Sequence, residues 1–191
     1  MIIIKFPDFI QNNLEKNKNI FKQQIYGCSS CVFEGRLYSH GSYMRNLITE
    51  ESTFPITIYR VKCPVCGKTH ALIPDFIIPY FQHSFYVIKK CLEFKYLKGS
   101  SYSTIANYFQ TRSIDSYIVI TETAISSFIK RFTCSIPKIK SFFNAFTEIY
   151  SNESTTAKEL LHFINEYESI SNNSFNVHFF ENMPTYFMCK T

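Results

Sequence analysis

The chain has 191 residues, 46% of them apolar and 17% aromatic, with only 5 Gly and 7 Pro. That excludes collagen-like and low-complexity chains and leaves room for one ordinary domain or two small ones. Its 20 Lys and Arg against 15 Asp and Glu give a formal charge of +5, and no apolar run approaches the length that spans a bilayer.

The basic excess is uneven: residues 1–90 carry +5, residues 91–150 carry +3 and residues 151–191 carry −3. The apolar opening Met1–Ile4 is cut off by Lys5, Pro7 and Asp8, too early for a signal peptide, so a soluble cytoplasmic protein is expected. A first strand there leads into Phe9–Ile25, where Ile10, Leu14, Phe21 and Ile25 share one face of a predicted helix. Next comes Cys28-Ser29-Ser30-Cys31, and after a gap of 31 residues Cys63-Pro64-Val65-Cys66-Gly67. Between the pairs, Val32–Leu37 and Thr53–Lys62 read as strands. His40-Gly41-Ser42-Tyr43-Met44-Arg45 reads as a turn and a further short strand, and Thr69–Ile73 as a strand leaving the second pair. Together they describe a three-stranded sheet clipped by two knuckles.

Without a secretory signal, C-x2-C pairs are not expected to form disulfides. Each pair sets two sulfurs on one tight turn, and two such turns complete a tetrahedron. Cys28, Cys31, Cys63 and Cys66 are therefore the expected ligands of one structural zinc ion. Four thiolates leave no open position for water, so the metal is not expected to be catalytic. Thiolates and ion together add −2, taking the formal +5 to +3. His40 and His70, the alternative ligands, are read as surface residues of the ribbon, and Cys91 as a small core residue.

Pro74–Pro79 is an extended connector. Ser84 is expected to cap a helix through Leu97, with Val87, Ile88, Cys91 and Leu92 on one side and Gly99 ending it. A second helix, capped by Ser101 or Ser103, carries Ile105, Ala106 and Phe109. The polar stretch Thr111–Ile120 separates it from a third, Glu122–Phe132, capped by Thr121 and striped by Ala124, Ile125, Phe128, Ile129 and Phe132. Beyond Pro137, the residues Ile139, Phe142, Phe143, Phe146 and Ile149 mark a fourth helix. Leu160, Leu161, Ile164 and Tyr167 mark a fifth, capped by Thr155 or Thr156, and the tail from Ser171 is expected to be turn-rich and partly disordered.

The predicted fold class is α+β: a small zinc-ribbon β-sheet followed by a mostly helical, helix-turn-helix-like bundle. Residues 1–80 would hold the N-terminal helix and ribbon, 81–135 the helix-turn-helix-like helices, and 136–191 packing helices and tail. In a helix-turn-helix the third helix enters the major groove. Thr123, Ser126 and Ser127 would then meet base edges, and Lys130 and Arg131 would reach phosphates. Arg36, Arg45, Arg60, Lys62 and Lys68 of the ribbon would extend that footprint along the backbone.

The series Leu37-Tyr38-Ser39-His40-Gly41-Ser42-Tyr43-Met44-Arg45, Ile58–Cys66 and Thr69–Pro74 resembles the N-terminal zinc ribbon of insertion-sequence transposases. There an h-G-x-x-x-R turn and an R-x-x-C-x-x-C strand precede a helix-turn-helix. More closely, the chain is similar over roughly residues 25–135 to a bacterial family of short zinc-ribbon proteins, through the connector Ile73-Pro74-Asp75-Phe76-Ile77-Ile78-Pro79-Tyr80. Ser29 stands where that family has proline. The resemblance implies a DNA-binding role tied to mobile elements, with no known reaction.

Strand transfer itself needs three carboxylates holding two divalent metals on a large sheet. Only 59 residues follow Phe132, they read as helices, and none of Glu148, Glu153, Glu159, Glu166, Glu168 and Glu181 lies on a strand-like run. No Gly-rich phosphate loop or nucleophile–His arrangement stands out either, so the protein is not expected to be an enzyme. The expected function is that of a transposase accessory, truncated transposase or regulator. Its expected partners are DNA and a transposase or other mobile-element protein, with no membrane or small-molecule substrate, and the nucleoid is the expected place of a DNA-bound form. The alternative is a protein-interaction adaptor with a structural zinc ribbon.

Overall fold

The computed structural model describes residues 2–4, 27–112, 120–146, 156–171, 174–183 and 188. The helix expected over Phe9–Ile25 lies outside them. The fold is α+β: a four-stranded mixed sheet followed by helices. Two compact units share the chain, one formed by Met1–Leu47 and Phe54–Asp75, the other by Ile48–Thr53 and Phe76–Thr191.

In the first unit the strands β1 (Ile2–Ile4), β2 (Tyr38–Ile48), β3 (Thr53–Lys62) and β4 (Thr69–Pro74) lie in the order β1-β4-β3-β2. β4 runs antiparallel to β3, with Val61 opposite His70, and parallel to β1, with Ile2 opposite Leu72. The sheet is thus one strand wider than the three expected, because the first strand joins its edge. Two further expectations are corrected. Val32–Leu37 forms no regular strand; it is the returning arm of the first knuckle, with Arg36 in an isolated bridge. The turn expected around Gly41 is instead the interior of the 11-residue β2, and Gly41 takes φ +87° there. That left-handed value, open to glycine at little cost, lets the strand bend without ending.

Burial along β3 changes face. Phe54, Ile56 and Ile58 are buried at one end, whereas Val61 is buried and Arg60 and Lys62 are exposed at the other. Since side chains alternate along a strand, the two ends of β3 turn opposite faces inward. At the cysteine end the buried cluster is Cys28, Leu37, Val61, Cys63 and Leu72.

The second unit holds α1 (Phe85–Tyr96), α2 (Tyr102–Arg112), α3 (Glu122–Phe146), α4 (Ala157–Ser171) and α5 (Phe175–Asn182). α3 packs against each of the other four. Local signals start and stop these helices as expected. Ser84 Oγ accepts from Val87 N–H at 3.2 Å and Ser101 Oγ from Thr104 N–H at 3.1 Å. Gly99, at φ +68°, lets the chain leave α1 with Ser100 N–H bonded to the Phe94 carbonyl. Thr156 and Glu159 form a reciprocal capping box at the start of α4.

Two helical expectations are corrected as well. The third and fourth predicted helices are one, and α3 runs through Pro137 and across the boundary expected at residue 135. An interior proline costs about 3 kcal/mol. It is outweighed because Phe128, Ile129 and Phe132 before it and Ile139, Phe142 and Phe143 after it are all buried on one stripe. Each such side chain contributes about 1.5–3 kcal/mol. The tail, expected to be turn-rich, forms α5, whose Phe175 and Phe179 rings lie 5.5 and 5.4 Å from that of Phe142. Glu168 anchors this helix: one carboxylate oxygen accepts from Phe175 N–H at 2.7 Å and the other pairs with Lys89 of α1. Among the described residues no helix is long and apolar enough to cross a membrane.

Candidate metal centre

Each knuckle is closed by its own backbone. In the first, Cys28 N–H donates to the Phe33 carbonyl at 2.8 Å and Cys31 N–H to the Cys28 carbonyl at 3.3 Å. In the second, Cys63 N–H donates to the Lys68 carbonyl at 2.9 Å and Gly67 N–H to the Cys63 carbonyl at 3.1 Å, with Gly67 at φ +70°. These turns bring the sulfurs of Cys28, Cys31, Cys63 and Cys66 within 4.8 Å of one another. Across the knuckles, Cys28 Sγ lies 3.6 Å from Cys66 Sγ and Cys31 Sγ 3.7 Å from Cys63 Sγ. A tetrahedral ion with metal–sulfur bonds of about 2.3 Å requires sulfur–sulfur edges of about 3.8 Å. The donor set therefore fits a metal ion.

The electrostatics agree. Burial pushes the Cys28 thiol up, but the Ser30 N–H and the contacts with Cys31, Cys66 and His70 outweigh it and bring the pKa from 9.0 down to about 6. For Cys31 the backbone at Phe33 lowers the pKa, yet burial and the sulfurs of Cys28, Cys66 and Cys63 push it up to about 12. Cys28 is thus held below and Cys31 above the ordinary thiol value.

All four expected ligands thus meet at one point. His40 is exposed, as expected, on β2. His70 is not: it is 2% exposed, with Nε2 3.2 Å from Cys28 Sγ and Nδ1 3.3 Å from Ser29 Oγ. The expectation of a surface residue is corrected by strand alternation. His70 and Leu72 are two apart on β4 and share its inward face, a signal already present in Thr69-His70-Ala71-Leu72.

The residues assigned to DNA contacts fall into distinct settings. Arg36, Arg60, Lys62 and Lys68 are exposed on the first unit, whereas Arg45 is half-buried and burial lowers its pKa. In the second unit Thr123, Ser126 and Lys130 are exposed at positions i, i+3 and i+7 of α3, with Ser127 half-buried beside them. Arg131 is half-buried, its guanidinium 4.6 Å from the centroid of the Phe81 ring. The α2–α3 connection runs from residue 113 to 121, of which 113–119 lie outside the described residues.

A family model described as a domain of unknown function (DUF6431) matches residues 28–108, from the first cysteine of the cluster into α2. No curated protein and no solved structure matches the chain.

Proposed function

We propose that the protein is a non-catalytic DNA-binding protein whose four cysteines hold one structural zinc ion. It would serve a bacterial mobile element as transposase accessory, truncated transposase or regulator. Thiolate donors select soft or borderline ions over magnesium or calcium, and a tetrahedral all-sulfur set suits zinc. Cys28, Cys31, Cys63 and Cys66 would complete the coordination shell, and the ion would supply folding energy to the knuckles. The mobile-element assignment rests on the resemblance carried by the knuckles, the Gly41–Arg45 segment and the connector.

The observation that carries the DNA reading is the exposed basic pair Arg60 and Lys62 on β3, on the face turned away from Val61 and the cysteine cluster. Side chains two apart on a strand are spaced about 7 Å, about twice the axial repeat of charge along one DNA strand. Independently, the solvent face of α3 offers Thr123, Ser126 and Lys130, small polar groups and a cation suited to a groove.

The purified protein should carry one zinc per chain. Arg60→Ala/Lys62→Ala and Lys130→Ala should weaken binding to every sequence, lowering the salt slope by about 0.9 for each phosphate no longer neutralised. Ser126→Ala should instead relax sequence discrimination. If the basic variants, folded and metal-loaded, bind mixed genomic DNA as the wild type does at the same salt, the DNA reading is wrong and the adaptor takes its place.

A further inference from the structure

The metal-bound reading of the cysteine cluster leaves one group beside it without a role. His70 stands on β4 opposite Val61, enclosed with the apolar side chains of the cysteine end, and both its nitrogens are directed. Nε2 points at Cys28 Sγ at 3.2 Å and Nδ1 at Ser29 Oγ at 3.3 Å. A thiolate bound to a metal has no proton, so it can only accept, and Nε2 must carry the hydrogen. In the neutral ring Nδ1 is then the acceptor, and the Ser29 hydroxyl donates to it. The same sulfur also accepts from Ser30 N–H at 3.4 Å.

We infer that His70 is a positioning residue of the metal centre: its Nε2–H donates to the Cys28 sulfur, and Ser29 holds the ring in that tautomer. Four thiolates around a divalent ion carry two surplus negative charges, and hydrogen bonds to sulfur are the means by which the chain spreads them. Cys28 receives two, one from its own knuckle and one from β4. The second ties the first knuckle to the sheet 42 residues away. This inference rests on the proposed metal site but is separable from it.

The test uses the full chain loaded with cobalt in place of zinc, comparing wild type with His70→Leu, His70→Gln and Ser29→Ala. Leucine fills the space and removes the donor; glutamine keeps an N–H near the position of Nε2. His70→Leu should weaken metal binding by about ten- to a hundred-fold in competition with a chromophoric chelator. It should also move the sulfur-to-cobalt charge-transfer band to lower energy, because a thiolate without its hydrogen bond gives up an electron more easily. His70→Gln should restore both, and Ser29→Ala, at an exposed position, should shift the band the same way by less. A His70→Leu band and affinity equal to wild type would overturn the inference, as would a glutamine variant no better than leucine. If His70→Leu does not fold, the Gln and Ser29→Ala spectra decide. X-ray absorption of the zinc-loaded wild type should show sulfur alone; a nitrogen in the first shell would make His70 a ligand and overturn its positioning role. A wild type that takes up no metal would instead remove the metal site itself.

Discussion

His83 lies edge-on to the Phe128 ring, centroids 5.0 Å apart, and burial pushes its pKa from 6.5 down to about 4. A histidine kept neutral in the fold binds its proton more readily in the unfolded chain. Between about pH 6.5 and pH 4 the unfolded state holds more protons, so stability should fall as pH falls through that window. Replacing His83 with Phe should flatten that part of a Tm-against-pH curve, leaving the acid sensitivity of the metal thiolates in place. If the variant's slope matches wild type, His83 titrates normally. His83 and His70 belong to the same lesson about legibility. The four cysteines announced themselves through paired spacing, the pattern a metal site needs. These two histidines carried no such signature, and only the alternation of strand faces distinguished His70 from His40.

Elements were legible where a local signal coincided with a period. Ser84, Ser101 and Thr156 cap as their side chains dictate, and β3 follows its apolar alternation. Two failures came from residues with a strong local preference: Gly41 suggested a turn but sits inside β2, among exposed residues, and Pro137 suggested a break but sits inside α3, where buried side chains on both sides outweigh it. Pro137 is exposed and lacks the N–H that would bond the Thr133 carbonyl, while the Ser141 hydroxyl bonds the carbonyl of Pro137 at 3.0 Å. Pro137→Ala should restore one helical hydrogen bond, offset in part by the greater freedom of the unfolded chain. A net gain of about 2 kcal/mol is expected in denaturant unfolding. A loss of stability would show that the proline shapes α3 in a way its neighbours need.

At the scale of the whole molecule, the helices bury a continuous cluster from Ile78 and Phe85 to Phe175 and Met188, whereas the cluster at the cysteine end of the sheet holds five buried residues, Cys28 and Cys63 among them. With an ion at the proposed site, a cluster so small would draw its folding energy from the metal, as small domains do. Stripping the ion with a strong chelator should therefore abolish hydrogen-exchange protection on β3 and β4 near Val61 and His70. Amides of α1 and α3 should keep theirs, along with most of the helical circular dichroism. Collapse of both units together would show that the helices lean on the metal too. The division of labour was partly visible beforehand, in the change from alternating to helical period near Pro79. The sharing of residues 48–53 with the helical unit was not, because it depends on contacts such as Tyr108 OH to Glu50 at 3.0 Å and Ile48 N–H to the Gln82 carbonyl at 2.8 Å. The turn Thr49–Ser52 that joins β2 to β3 also sits inside the 31-residue span between Cys31 and Cys63. For a free coil of that length, bringing the two cysteine pairs together costs about 3 kcal/mol in loop closure. Zipping the hairpin performs that closure stepwise from its tight end, on the microsecond scale of hairpin formation. On the proposed metal-bound reading, an arriving ion would meet either two sulfurs or four, according to whether the hairpin is shut. Loading would then be set by how often a strand pair closes, so the speed of metal capture would be written in a turn remote from the four sulfurs.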